Sequence, residues 1–200
     1  MCARGRHGRP LRIRLDLDGT DDPAHGGQEG VRYHGFYGQH MYHPLLVFDA
    51  DTGQLITAIL RPGTVHASRF VVLVLRRLLR RLRTAWPDIP VELRADSGFA
   101  VPRLYAWCEA NQVGYTIGLV PNAALARLAA SLLADAQAQS AAQDGAKVRL
   151  AGEASYQAGS WPTARRVVFK AEILASSCSI FREPPQIRAG GSGGLFPWWR

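Results

Sequence analysis

Leu11-Arg12-Ile13-Arg14-Leu15-Asp16-Leu17-Asp18 (LRIRLDLD) is the stretch whose reading decides the fold. Apolar and charged residues alternate strictly, which is the period of a β-strand with one face buried and one polar. Leu11, Ile13, Leu15 and Leu17 point to the core; Arg12, Arg14, Asp16 and Asp18 point the other way. Gly19-Thr20-Asp21-Asp22-Pro23 follows and ends the strand, so Asp18 falls at its last position, beside a glycine. A core domain must therefore be built outward from a strand that delivers carboxylates at its C-terminal end.

Downstream, Ala24 to His40 contains five glycines and reads as a loop or irregular ribbon. Pro44 to Ala50 and Gln54 to Leu60 are apolar strands, and Asp51-Thr52-Gly53 between them is turn chemistry for a hairpin. His66 to Trp86 carries Phe70, Val71, Val74, Leu75, Leu78, Leu79 and Leu82 at helical spacing, and Pro87 stops it. Val91 to Ala95 is a short strand running directly into Asp96-Ser97-Gly98-Phe99. A helix over Pro102 to Asn111, a strand over Gly114 to Val120, an alanine-rich helix capped by Asn122 and reaching Gln143, and a strand over Arg165 to Lys170 complete the pattern. There is no internal repeat.

Three strands followed by alternating helix and strand imply an α/β fold with a mixed sheet flanked by helices. That order is the one found in ribonuclease-H-like domains. Residues 11–175 are expected to form this domain, with residues 1–10 a disordered basic N-terminus. Residues 176–200, which hold Pro184-Pro185 and a Gly-rich run, form an irregular, disordered tail.

The chain has 200 residues and a formal charge of +8. Its length suits one domain with a real core, and its charge favours a polyanionic partner, nucleic acid before a membrane surface. Cys2, Cys108 and Cys178 are widely spaced and make neither a disulfide framework nor a zinc pattern, which points to a reducing cytoplasm. The basic N-terminus lacks the apolar stretch of a signal peptide, and the longest apolar run, Phe70 to Leu75, is far too short to span a bilayer.

Phosphodiester chemistry needs an activated nucleophile and a stabilised leaving oxygen, which paired divalent cations supply when carboxylates hold them. Mg²⁺ prefers oxygen ligands, usually one or two carboxylates together with substrate phosphates. Asp18 closes the first strand and Asp96 lies just past Val91 to Ala95; in a ribonuclease-H-like sheet these strands are neighbours, so the two carboxylates converge. Asp16 shares their face and is either an auxiliary ligand or a group that supports the ligands from behind. Asp before Gly or Ser at a strand end is also ordinary turn or cap chemistry, and Asp21 and Asp22 are read that way.

Two blocks carry a family resemblance: LDLDGTDDPAHGGQEGVRYHGFYGQHMYHPLLVFD and LRADSGFAVPRLYAWCEANQVGYTIGL. Each is specific taken whole, and together they resemble the catalytic core of DDE transposases from bacterial insertion sequences, over Leu11 to Ala175. The resemblance implies a ribonuclease-H-like fold and Mg²⁺- or Mn²⁺-dependent cleavage and transfer of DNA strands, with transposon ends and target DNA as partners. It also implies possible homodimers in the full-length family. Asp18 matches the family's first catalytic Asp and Asp96 its second. The third, a Glu on a downstream helix within a motif containing Tyr, Arg, Glu and Lys, has no counterpart here: Glu172 stands where the family has a core strand, and Glu183 lies in the irregular tail. The expectation is a truncated copy, its activity in question for want of that Glu, whose reading frame shifts between Ala175 and Ser179. A non-catalytic DNA-binding remnant and an unrelated ribonuclease-H-like nuclease are the alternatives.

On the long helix Arg76, Arg77, Arg80 and Arg81 share one face, either a phosphate-gripping strip or a solvated basic surface. His40-Met41-Tyr42-His43, with His25 and His34 nearby, lacks the Cys or Glu of a structural zinc set; the resemblance implies instead a loop beside the active site. Tyr105, Trp107 and Trp86 are expected in the core.

Overall fold

A computed structural model describes residues 10–174 and the backbone of 186–192. The chain divides into two compact units, Met1–Ile117 and Gly118–Arg200.

In the first unit, β1 (Ile13–Gly19) is the strand read from LRIRLDLD. Ile13, Leu15 and Leu17 are buried, whereas Leu11 lies before the strand and is exposed. β2 (Asp22–Pro23), β3 (Arg32–His34) and β4 (Gln39–Tyr42) follow, then β5 (Leu45–Asp49), β6 (Leu55–Ile59), helix α1 (Val71–Ala85), β7 (Val91–Ala95), helix α2 (Pro102–Ala110) and β8 (Gly114–Leu119). The main sheet of this unit runs β6-β5-β1-β7-β8. β6, β5 and β1 pair antiparallel; β1, β7 and β8 pair parallel, their connections running through the helices. This is the mixed sheet flanked by helices expected of a ribonuclease-H-like domain. Its core is made by Leu15, Leu17, Val47, Leu93 and Ile117 with Leu75, Leu79 and Leu82 of α1.

The glycine-rich stretch after β1 is more ordered than its composition suggested: β2, β4 and β3 form a small antiparallel sheet in that order. A buried contact anchors it. A Cβ on Gly63 would lie 2.4 Å from the carbonyl oxygen of Met41 and 2.6 Å from that of Arg32, so the loop after β6 passes flush against the ribbon backbone. Neither carbonyl is the movable end of a side chain. Gly63→Ala is therefore expected to destabilise the fold by about 3 kcal/mol, measured as a shift of the urea midpoint at constant slope; an unchanged midpoint would refute the close approach.

Helix α1 starts five residues later than its apolar spacing indicated. Phe70 has a φ of 67° and stands at the N-cap, so the helix cannot extend backward through it. Upstream, the carbonyls of Ala67 and Arg69, which a helix would direct along its own axis, accept instead from the guanidinium of Arg61 at 2.7 and 2.9 Å. Arg61 is 1% exposed, and it also donates to the carbonyls of His43 (2.8 Å) and Pro44 (3.4 Å). Burial lowers its pKa, and no carboxylate reaches it among the described contacts.

In the second unit, α3 (Ala123–Ala142) packs on β9 (Val148–Tyr156) and β10 (Arg165–Ile173). Asn122 caps the helix as expected, its side-chain oxygen accepting from the amides of Ala124 and Leu125 at 3.0 Å. Leu125 and Ala129 meet Val167 and Phe169, while Ala136 meets Val148 and Ala171. β9 was not legible in the sequence. Its inward positions include Gly152 and Ala154, small because the helix comes close: a Cβ on Gly152 would lie 3.2 Å from a methyl of Leu132. The irregular tail expected from residue 176 onward needs one correction, because Gln186–Ser192 forms β11, antiparallel to β10. The rest of that tail, and residues 1–9, lie outside the described residues.

Candidate functional site

The polar face of β1 is a ladder of charges shared with its neighbours. Arg12 approaches Glu92 at 3.8 Å, Arg14 pairs with Asp51 beyond β5, and Asp16 pairs with Arg94 of β7. Glu92, Arg94 and Asp96 fall on one face because they are two apart along an extended backbone. Glu92 is 7% exposed, and its carboxyl is raised above the usual range by burial, against the pull of Arg12, Arg14 and Arg94.

The ladder ends in two acids. Leu17 pairs with Ala95 across the parallel β1–β7 junction, so Asp18 and Asp96 stand one step further on, at the C-terminal ends of adjacent strands. Neighbouring strands lie about 4.8 Å apart. Asp18 is exposed, and no hydrogen bond or ion pair reaches its carboxylate among the described residues. Asp96 is extended and caps a 3-10 turn over Ser97–Phe99, Oδ1 accepting from the Gly98 amide at 2.8 Å. Phe99, fully buried, pins the turn from below. Asp16, Asp18, Arg94 and Asp96 line one shallow cleft.

Glycines let the surroundings close in on both acids. A Cβ on Gly19 would lie 2.9 Å from Nε2 of His43, a buried ring whose Nδ1 is 2.9 Å from the Val65 carbonyl oxygen. A Cβ on Gly98 would lie 3.1 Å from the Cβ of Ala67. The loop that Arg61 holds thus packs against the turn carrying Asp96.

Asp18 and Asp96 stand at neighbouring strand ends and line the same cleft. Asp16 is present in the cleft, but Arg94 takes both its oxygens, Nε donating to Oδ1 at 2.6 Å and Nη2 to Oδ2. Asp49 also lines the cleft, yet it lies opposite Leu15 on the core side of the sheet and accepts from the Asp51 amide at 3.0 Å. Glu172, in the second unit, is held by Lys170 (2.7 Å), Lys147 (2.9 Å) and Arg149 (2.7 Å), which keep its carboxyl far below the ordinary range. Among the described residues, no group of three or more His, Cys, Asp or Glu side chains is placed to hold a metal ion. The donor chemistry at Asp18 and Asp96 nevertheless fits a hard divalent cation: two carboxylates side by side, one unengaged, on an open cleft that leaves room for substrate oxygens.

Arg76, Arg77, Arg80 and Arg81 of α1 are exposed, and Arg83 is half-buried. Arg76, Arg80 and Arg83 border a second cleft with Trp107 and Asn111, and Arg83 donates to the Asn111 carbonyl at 2.6 Å. Of the aromatics expected inside, Tyr105 is fully buried, whereas Trp86 and Trp107 are only half-buried. The His40-Met41-Tyr42-His43 run splits across the ribbon: Met41 and His43 turn inward, and His40 stacks edge-on with Tyr33 at 5.4 Å between ring centres. Arg61 and Gly63 were missed as supports of the site; the only trace in the sequence is their position at the end of a strand.

The family model described as transposase DDE domain group 1 matches residues 5–181, and the chain belongs to that family. A piggyBac transposase, solved in a synaptic complex with hairpin DNA, is similar to it with a TM-score of 0.46 and 14% sequence identity, covering 90% of this chain and 32% of that one. The chain thus spans about a third of the length of that transposase. No curated protein matches the chain. No helix among the described residues is long and apolar enough to cross a membrane.

Proposed function

We propose that this chain carries the metal-dependent catalytic centre of a DNA transposase of an insertion sequence, with Asp18 and Asp96 as metal-binding catalytic carboxylates. The observation that carries the reading is the position of these two acids, one residue past the Leu17–Ala95 pair of adjacent parallel strands, in a chain of the DDE family. Mg²⁺ or Mn²⁺ held there would activate the attacking oxygen and stabilise the leaving oxygen of a DNA phosphodiester. The protein's own part is to fix the carboxylates: β1 and β7 set their spacing, the Gly98 amide orients Asp96, and the exposed position of Asp18 keeps it open to substrate and ion. The test is cleavage of supercoiled DNA by the purified chain with Mg²⁺, Mn²⁺ or EDTA. Nicking that requires the metal is expected; no nicking with either ion would leave the chain a non-catalytic DNA-binding remnant, and nicking that persists in EDTA would remove the metal from the chemistry.

The exposed strip Arg76, Arg77, Arg80 and Arg81 is assigned to the DNA backbone. If all four neutralise phosphates, replacing them by Ala should lower the slope of log affinity against log salt by about 3 to 4. A slope that does not change would make the strip an ordinary solvated surface.

A further inference from the structure

We infer that Asp16 and Arg94 are a positioning pair which, among the described residues, leaves Asp18 and Asp96 to the ion, so that Asp16 is not a metal ligand. The inference rests on the assignment of Asp18 and Asp96 to metal binding and goes beyond it by deciding the part of the third acid on their strand face, Asp16.

The geometry is specific. Asp16 and Arg94 are direct partners in the β1–β7 register, and a guanidinium fork meets a carboxylate with both of its oxygens engaged. Such bidentate pairs are short, directional and costly to rearrange. The pair is part-buried, 39% exposed at Arg94 and 30% at Asp16, which strengthens the attraction relative to a fully solvated bridge. It sits two residues before Asp18 on β1 and two before Asp96 on β7, one pleat below the acids and on their face. Three carboxylates with no cation between them would repel one another and would bind a divalent ion in several competing ways. With Arg94 locked on Asp16, the cluster has a formal charge of −2 instead of −3, and only the outer two acids are left to an ion.

Charge-matched variants separate ligation from electrostatics. Asp16→Asn, Asp18→Asn and Asp96→Asn each remove one negative charge at nearly constant shape, so any difference among them reports ligation alone. Mn²⁺ titration by calorimetry, on the full chain without DNA, is the measurement. Asp18→Asn and Asp96→Asn are expected to weaken binding by tenfold or more, the loss on the order of that for a ligand. Asp16→Asn should weaken it about threefold or less. Arg94→Gln should tighten binding, because it frees a third acid, and the double variant Asp16→Asn with Arg94→Gln, again at −2, should return to the wild-type affinity. A merely structural pair would not produce this gain and its reversal. Loss of affinity in Asp16→Asn equal to that in Asp18→Asn would make Asp16 a ligand and overturn the inference while leaving the site intact. If neither Asp18→Asn nor Asp96→Asn changes Mn²⁺ binding, the two-carboxylate site itself falls, a distinct result. Should Arg94→Gln not fold, Asp16→Asn alone still decides between the two outcomes.

Discussion

Asp96→Asn is expected to lower metal-dependent nicking by about three orders of magnitude, the scale set by several kcal/mol of lost charge stabilisation at a metal-bound phosphodiester. Asparagine is the informative replacement because it keeps an oxygen where Oδ1 accepts from the Gly98 amide. The turn over Ser97–Phe99, with its buried Phe99, should therefore persist and thermal unfolding should stay cooperative. What disappears is the negative charge beside Asp18. Side-by-side rate measurements at saturating Mn²⁺, with circular dichroism on the same samples, separate lost chemistry from lost fold. Wild-type nicking by the folded variant would remove Asp96 from the centre.

Arg61→Ala is expected to cost about 4 kcal/mol of stability. A buried acceptor left without its donor costs roughly 1–3 kcal/mol, and Arg61 donates to four: the carbonyls of His43, Pro44, Ala67 and Arg69. Removing the side chain also opens a cavity at a position that is 1% exposed. Lysine should not rescue it, since a single ammonium on a flexible stem cannot reproduce a planar fork reaching acceptors on both sides. Urea unfolding of Arg61→Ala and Arg61→Lys is the measurement; a loss below about 1 kcal/mol in Arg61→Ala would show that the loop holds without its hub. The consequence extends to the site, because Ala67, whose carbonyl Arg61 holds, packs against Gly98 next to Asp96.

These two residues mark how differently the site and its support can be read in a sequence. Asp96 was legible because strand, acid and glycine are contiguous, and local pattern fixes local structure. Arg61 reads as a basic residue at the end of a strand, and nothing local marks an arginine that will be buried. Its partners are scattered from His43 to Arg69. The start of α1 shows the same limit. Apolar spacing over His66 to Trp86 continues to repeat, yet Arg61 captures the backbone oxygens of the first residues and Phe70 turns left-handed.

By itself, the sequence determined the strands of the first sheet, the hairpin turn, the cap of α3 and the places of two acids at strand ends, each encoded in a period, a turn residue or a motif a few residues long. Only the tertiary structure decided which acids are available. Asp16 and Asp18 lie on one strand face and are indistinguishable in LRIRLDLD. They part company because Arg94, 78 residues further along the chain, arrives opposite Asp16 and leaves Asp18 open. That difference is made by strand register, which joins distant parts of the chain.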